Sequence, residues 1–148
     1  MPPANPTSAK DYFDLGNYHY EIGDCKQAIV DYSHSIVQNP NYPQAYNNRA
    51  YTYMRMRDYD SALPDLNKAI ALRPDYVQAL MNRGDIENYY AKNKNRAKAI
   101  EDYNKVIALG PQAIKDSGVC GHLSMAQNRG FLPFAFLDFL FLHKNPGC

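Results

Sequence analysis

The stretch Tyr46–Pro74, YNNRAYTYMRMRDYDSALPDLNKAIALRP, decides how this chain folds. Tyr46, Arg49, Ala50 and Tyr53 recur at the i, i+3, i+4, i+7 spacing of one helix face. A turn at Arg57-Asp58 follows, and Ala62, Leu63, Leu66, Ala69 and Ile70 repeat the periodicity up to a stop at Pro74. The same pair of amphipathic segments occurs upstream, where Tyr12, Leu15, Gly16 and His19 precede Ala28, Ile29, Tyr32, Ser35, Ile36 and Pro40. Downstream, Leu80, Arg83 and Gly84 precede Ala99, Ile100, Tyr103, Val106, Ile107 and Pro111. Pro40 and Pro74 lie 34 residues apart. A fixed period of this size marks a helical hairpin repeated along the chain, each copy with an apolar face that only its neighbours can cover.

The residues inside each copy are more specific than the period. The first has Tyr12, Leu15-Gly16, Ala28, Tyr32 and Pro40, with His19 where an inner aromatic is usual. The second has Tyr46, Arg49-Ala50, Tyr53, Ala62, Leu66 and Pro74; the third has Leu80, Arg83-Gly84, Ala99, Tyr103 and Pro111, with Glu87 in an aromatic's place. With this pattern in register, the chain resembles the tetratricopeptide (TPR) family. The resemblance implies an all-α fold, a right-handed α-α superhelix (solenoid) of three helix-turn-helix repeats with extra C-terminal helices. The expected division is a lead-in at 1–8, repeats at 9–42, 43–76 and 77–113, a capping helix at 114–130 and an apolar tail at 131–148. Helices are expected near 8–22, 25–38, 43–56, 59–72, 77–93 and 96–109. Gly16, Ala50 and Gly84 are small because the two helices of one hairpin cross there. Thr7 or Ser8, Asp24 and Asp58 stand where a side chain can cap the following helix.

Pro64 lies inside the second helix of the second repeat and cannot donate to the carbonyl of Asp60, which predicts a kink or a 3₁₀ start. From Gly84 to Ala99 the third repeat is three residues longer than the others, and the excess falls in AKNKNRAK. That segment reads as a longer solvated turn, or as a basic patch of Lys92, Lys94, Arg96 and Lys98 for an acidic partner. Beyond Pro111, Val119, Leu123 and Ala126 share one helix face, with Asp116 or Ser117 as its cap and Gly130 at its end. This helix can cover the last repeat's open side.

The closing GFLPFAFLDFLFLHKNPGC is too short to span a bilayer, which takes about 20 apolar residues. Burying side chains such as Phe134, Leu137, Phe139, Leu140 and Phe141 is worth ~1.5–3 kcal/mol each, so something should cover them. The tail can fold back on its own array, pair two copies as a homodimer through residues 131–142, or lie against a membrane surface. Self-assembly through this tail is the alternative to a peptide-binding function.

Composition bounds the rest. The formal net charge is +1, and no basic stripe with interleaved aromatics points to nucleic acid. Cys25, Cys120 and Cys148 are an odd, widely spaced set, which suits free thiols in a reducing cytoplasm. MPPANPTSAK lacks the apolar core of a secretory signal. Cys120 and His122 point to different faces of a helix, His143 and Cys148 sit in a loose terminus, and no metal site is expected. His19 reads as a packed, hydrogen-bonded histidine and His34 as a solvent-facing one. There is no phosphate loop, paired-carboxylate motif or nucleophile elbow, so no catalytic site and no cofactor are expected.

What remains is a surface. By the resemblance, the first helix of each hairpin lines the concave face. Its outward residues are Lys10, Phe13, Asp14, Asn17, Tyr20 and Glu21, then Gln44, Asn47, Asn48, Tyr51 and Arg55, then Gln78, Met81, Asn82, Asp85, Asn88 and Tyr89. Asn48 and Asn82 occupy equivalent sites one repeat apart, where an amide can grip an extended peptide's backbone because it both donates and accepts. The same residues also read as an ordinary solvated face. Another protein or peptide is the expected partner, with Tyr20, Tyr51 and Tyr89 as anchors. The family's chaperone-binding branch clamps a C-terminal carboxylate with two asparagines and three basic residues. Asn17 and Asn48 match the asparagines, but Phe13, Gln78 and Asn82 fill the basic positions and carry no charge, which disfavours the acidic tails of the large heat-shock chaperones.

Overall fold

The computed structural model of the chain describes residues 5–90 and 95–117. Six α-helices follow one another: α1 (Ala9–Glu21), α2 (Cys25–Gln38), α3 (Pro43–Arg55), α4 (Tyr59–Leu72), α5 (Val77–Asp85) and α6 (Arg96–Asp116), with a π-helical segment Ile86–Tyr90 continuing α5. The described residues contain no strand. Helix starts follow local chemistry. Ser8 and Asp11 form a reciprocal capping box at α1, and Asp24 and Asp58 accept from the amides of Gln27 and Ser61 at α2 and α4. Pro43 opens α3, where a missing N–H costs nothing.

Each hairpin packs first helix on second, α1 on α2, α3 on α4 and α5 on α6, and successive hairpins meet through α2 on α3 and α4 on α5. The first helices also touch each other, α1 with α3 and α3 with α5. The stack therefore curves with the first helices on its inner side. The main core comprises Ala50, Ala62, Leu66, Leu80, Ile86, Ala99, Val106 and Ile114, and Ala28 and Tyr32 bury the first hairpin.

The crossing positions behave as the sequence predicts. A Cβ placed on Gly16 would lie 2.6 Å from the Tyr32 ring, and one on Gly84 would lie 2.6 Å from the Tyr103 ring. In the second hairpin the partner at Tyr32's repeat position is Leu66, and the crossing residue is the fully buried Ala50.

Several expectations need correction. α4 runs as one α-helix through Pro64, and no 3₁₀ segment opens it. The third repeat's first helix is not one α-helix to residue 93: it widens into the π-helix, which takes up part of the excess length. Helical backbone also continues beyond the expected end at 109, up to Asp116. α6 breaks at Gly110, whose φ of 88° and ψ of 168° are non-helical, and resumes at once with Ile114 in the core. The basic residues Lys92 and Lys94, the expected capping helix beyond Ser117 and the apolar tail with Phe134, Leu137, Phe139, Leu140 and Phe141 lie outside the described residues, as do Cys120, His122, His143 and Cys148.

Candidate ligand groove

An acid–base pair ties the first helix to the second in each hairpin, buried in the third and part-buried in the first two. Arg83 makes a two-pronged bond to Asp102, with Nε–Oδ2 and Nη2–Oδ1 both 2.7 Å, and its Nη1 donates to Asn67 of the preceding hairpin at 2.7 Å. Arg49 repeats this with Asp65, both bonds 2.7 Å, and with Ser33 at 2.9 Å. Each arginine thus joins three helices. In the first hairpin Leu15 stands at the arginine's repeat position, and His19, one turn later, reaches Asp31 at 2.6 Å instead. His19 is accordingly a packed structural histidine, while His34 is exposed.

Between the inner faces of α1 and α3 lies a cavity of about 230 Å³ lined by Asn17, Tyr20, Glu21, Tyr32, Asn48 and Tyr51. The buried Tyr32 forms part of its wall and donates its hydroxyl to Asn17 Oδ1 at 2.8 Å; burial pushes this phenol's pKa well up. The rings of Tyr20 and Tyr51 stand 5.8 Å apart at 46°. Arg55, which does not line the cavity, holds its guanidinium 4.7 Å from the Tyr20 ring centre. Burial raises the Tyr20 pKa, and a hydrogen bond with Arg55 works against that rise.

The second repeat departs from its neighbours in one pair beside the cavity. Tyr32 and Tyr103 each donate a hydroxyl to the inner-face residue after the crossing glycine, Asn17 in one case and Asp85 in the other, both at 2.8 Å. The equivalent pair in the middle hairpin is Leu66 and Tyr51. Leu66 has no hydroxyl to offer, and Tyr51 lines the cavity.

The asparagines form a relay of amides. Asn48 Nδ2 donates to Asn17 Oδ1 at 2.9 Å, Asn47 Nδ2 to Asn48 Oδ1 at 3.3 Å, and Asn82 Nδ2 to Asn47 Oδ1 at 3.3 Å. Of the residues expected on the concave surface, Asn17, Tyr20, Asn48 and Tyr51 come together in the cavity with Arg55 at its rim. Asn47, Met81 and Asn82 are buried, at 6%, 3% and 9% exposure, because neighbouring first helices press against them. Gln78 spends its amide on the carbonyl of Ser117 at 2.6 Å, and Gln44 is half-buried. The side chain of Tyr89 lies outside the described set.

Sequence reasoning missed the contribution of Tyr32, which comes from a second helix, and the acid–base pairs. The signal for the pairs was present: Arg49 and Arg83 are 34 apart, as are Asp31 and Asp65, and Asp102 follows after the same interval plus the three-residue excess.

Comparison with known proteins is consistent with this architecture. A "Tetratricopeptide repeat" family model matches residues 43–76, and a "TPR repeat" model matches residues 16–56. The first TPR of Spaghetti (RPAP3), bound to the HSP90 peptide SRMEEVD, has a TM-score of 0.65 and 27% identity over 82% of this chain and 94% of that one. The second TPR domain of human RPAP3, in complex with the HSP70 peptide SGPTIEEVD, has a TM-score of 0.63 and 27% identity over 74% of this chain and 91% of that one. MamA has a TM-score of 0.62 and 27% identity over 69% of this chain, which spans only 58% of the MamA chain.

Proposed function

Starting from a chain that is a tetratricopeptide-repeat protein, we propose that it is a non-enzymatic interaction module that holds an extended peptide or helical segment of another protein in its concave groove. The observation that carries this reading is the tyrosine- and asparagine-lined cavity between α1 and α3. Two similar TPR domains hold peptides, which supports a peptide as the class of partner. Affinity would come from the faces of Tyr20 and Tyr51 and from the amides of Asn17 and Asn48.

The ligand differs in chemistry from an acidic C-terminal tail. Where a carboxylate clamp needs cations, Phe13 packs its ring 5.0 Å from Tyr42, Gln78 is bonded to Ser117, and Asn82 is buried against Asn47. None of these can neutralise a terminal carboxylate. A reducing cytoplasm as the address belongs to the same proposal and suits the free thiol of Cys25.

Peptides selected from a random display library against the whole protein test the reading. Tyr20→Ala with Tyr51→Ala should weaken a selected peptide at least about tenfold while the helical circular-dichroism signal and Tm stay close to the parent's. A double mutant that binds as tightly as the parent would remove the groove from consideration.

A further inference from the structure

The cavity's walls specify more than a peptide. We propose that it takes a cationic side chain of the partner, a lysine ammonium or an arginine guanidinium, with Glu21 as counter-ion and the faces of Tyr20 and Tyr51 as walls. This rests on the groove reading above and names the chemistry of its central contact.

Four observations converge. Glu21 is the one charged residue among the six that line the cavity, and it is exposed. Among the described residues it has no hydrogen-bond or ion-pair partner. Of the neutral acceptors beside it, Asn17 Oδ1 already receives both the Tyr32 hydroxyl and the Asn48 amide, and Asn48 Oδ1 receives one amide, from Asn47. The carboxylate is the strongest acceptor that the lining offers a ligand, because it alone carries charge. Finally, the Arg55 guanidinium rests 4.7 Å from the Tyr20 ring centre, so a cation is already seen to settle against this ring.

The other occupants fit less well. A neutral apolar side chain would strip water from Glu21 and give it no partner. An acidic one would set like charges together. A cation satisfies the carboxylate and gains the ring faces at the same time.

The test uses the whole protein labelled at tyrosine and titrated with three probes: N-acetyl-lysine amide, N-acetyl-arginine amide and the neutral N-acetyl-norleucine amide. The cations should shift Tyr20 and Tyr51 and bind about five- to tenfold more tightly than the norleucine probe, an advantage that shrinks with added salt and in Glu21→Gln. Norleucine binding as well as the cations, or a Glu21→Gln protein that binds them unchanged, overturns the proposal. The display library separates the two readings. Selected peptides that need Tyr20 and Tyr51 but are not enriched in Lys or Arg sink the cation and leave the groove standing. Cation probes that bind while no selected peptide depends on the groove support the cation site and sink the groove.

Discussion

At the scale of single residues, two hairpin crossings are matched pairs, glycine opposite tyrosine in Gly16–Tyr32 and Gly84–Tyr103, and the middle hairpin has the fully buried Ala50 and Leu66 at the same repeat positions. With a Cβ predicted to fall 2.6 Å from ring carbons, Gly16→Ala should destabilise the protein by ~1–3 kcal/mol in urea denaturation through overpacking. The reverse swap in the middle hairpin checks the logic, because Leu66→Tyr should be tolerated far better with Ala50→Gly than alone. Backbone strain supplies a second prediction. Gly23 and Arg57 occupy equivalent turns with φ of 87° and 61°, and only the glycine adopts this region without strain. Arg57→Gly should therefore stabilise the fold by ~0.5–1 kcal/mol, and an unchanged denaturation midpoint would show that the turn holds no strain to relieve. Gly16 and Gly84 could be read from the repeat pattern. That each glycine faces a tyrosine whose hydroxyl reaches across to Asn17 or Asp85 could not, since two helices must be docked before that distance exists.

At the scale of helices, Arg83 and Arg49 bind neighbouring elements together. Arg83→Met leaves Asp102 buried at 0% exposure without a counter-charge and should cost ~3–5 kcal/mol. The double change Arg83→Met with Asp102→Leu should recover most of that loss, because the penalty lies in the stranded charge and not in the missing bond. Equal denaturation midpoints for the single and double mutants would contradict this account. Helix boundaries were largely legible: α2 and α4 fall at 25–38 and 59–72 as the periodicity predicts. The break at Gly110 falls where the stop at Pro111 ends the predicted helix 96–109, whereas the π-helix at Ile86–Tyr90 was not legible. The π-helix is a way of absorbing chain length between packed helices, and periodicity records which residues face inward without recording how a longer segment is taken up.

At the scale of the molecule, the inner side of the curve concentrates the candidate site, and self-assembly through residues 131–142 is the alternative to a peptide-binding function. If residues 131–142 pair two copies, light scattering should give a dimer for the full chain and a monomer for a chain ending at Gly130. A monomer in both would count against assembly through the tail. The order and face of the helices, the crossing points and the capping residues followed from the sequence alone, because each depends on contacts repeated at a fixed spacing within one hairpin. Which polar residues reach a ligand was decided only by tertiary structure. Asn47, Met81 and Asn82 sit on the inner helices yet are buried, whereas Tyr32, from an outer helix, reaches the cavity wall. The rotation of each first helix against the next sets that outcome, and it is fixed by packing between residues far apart in the chain.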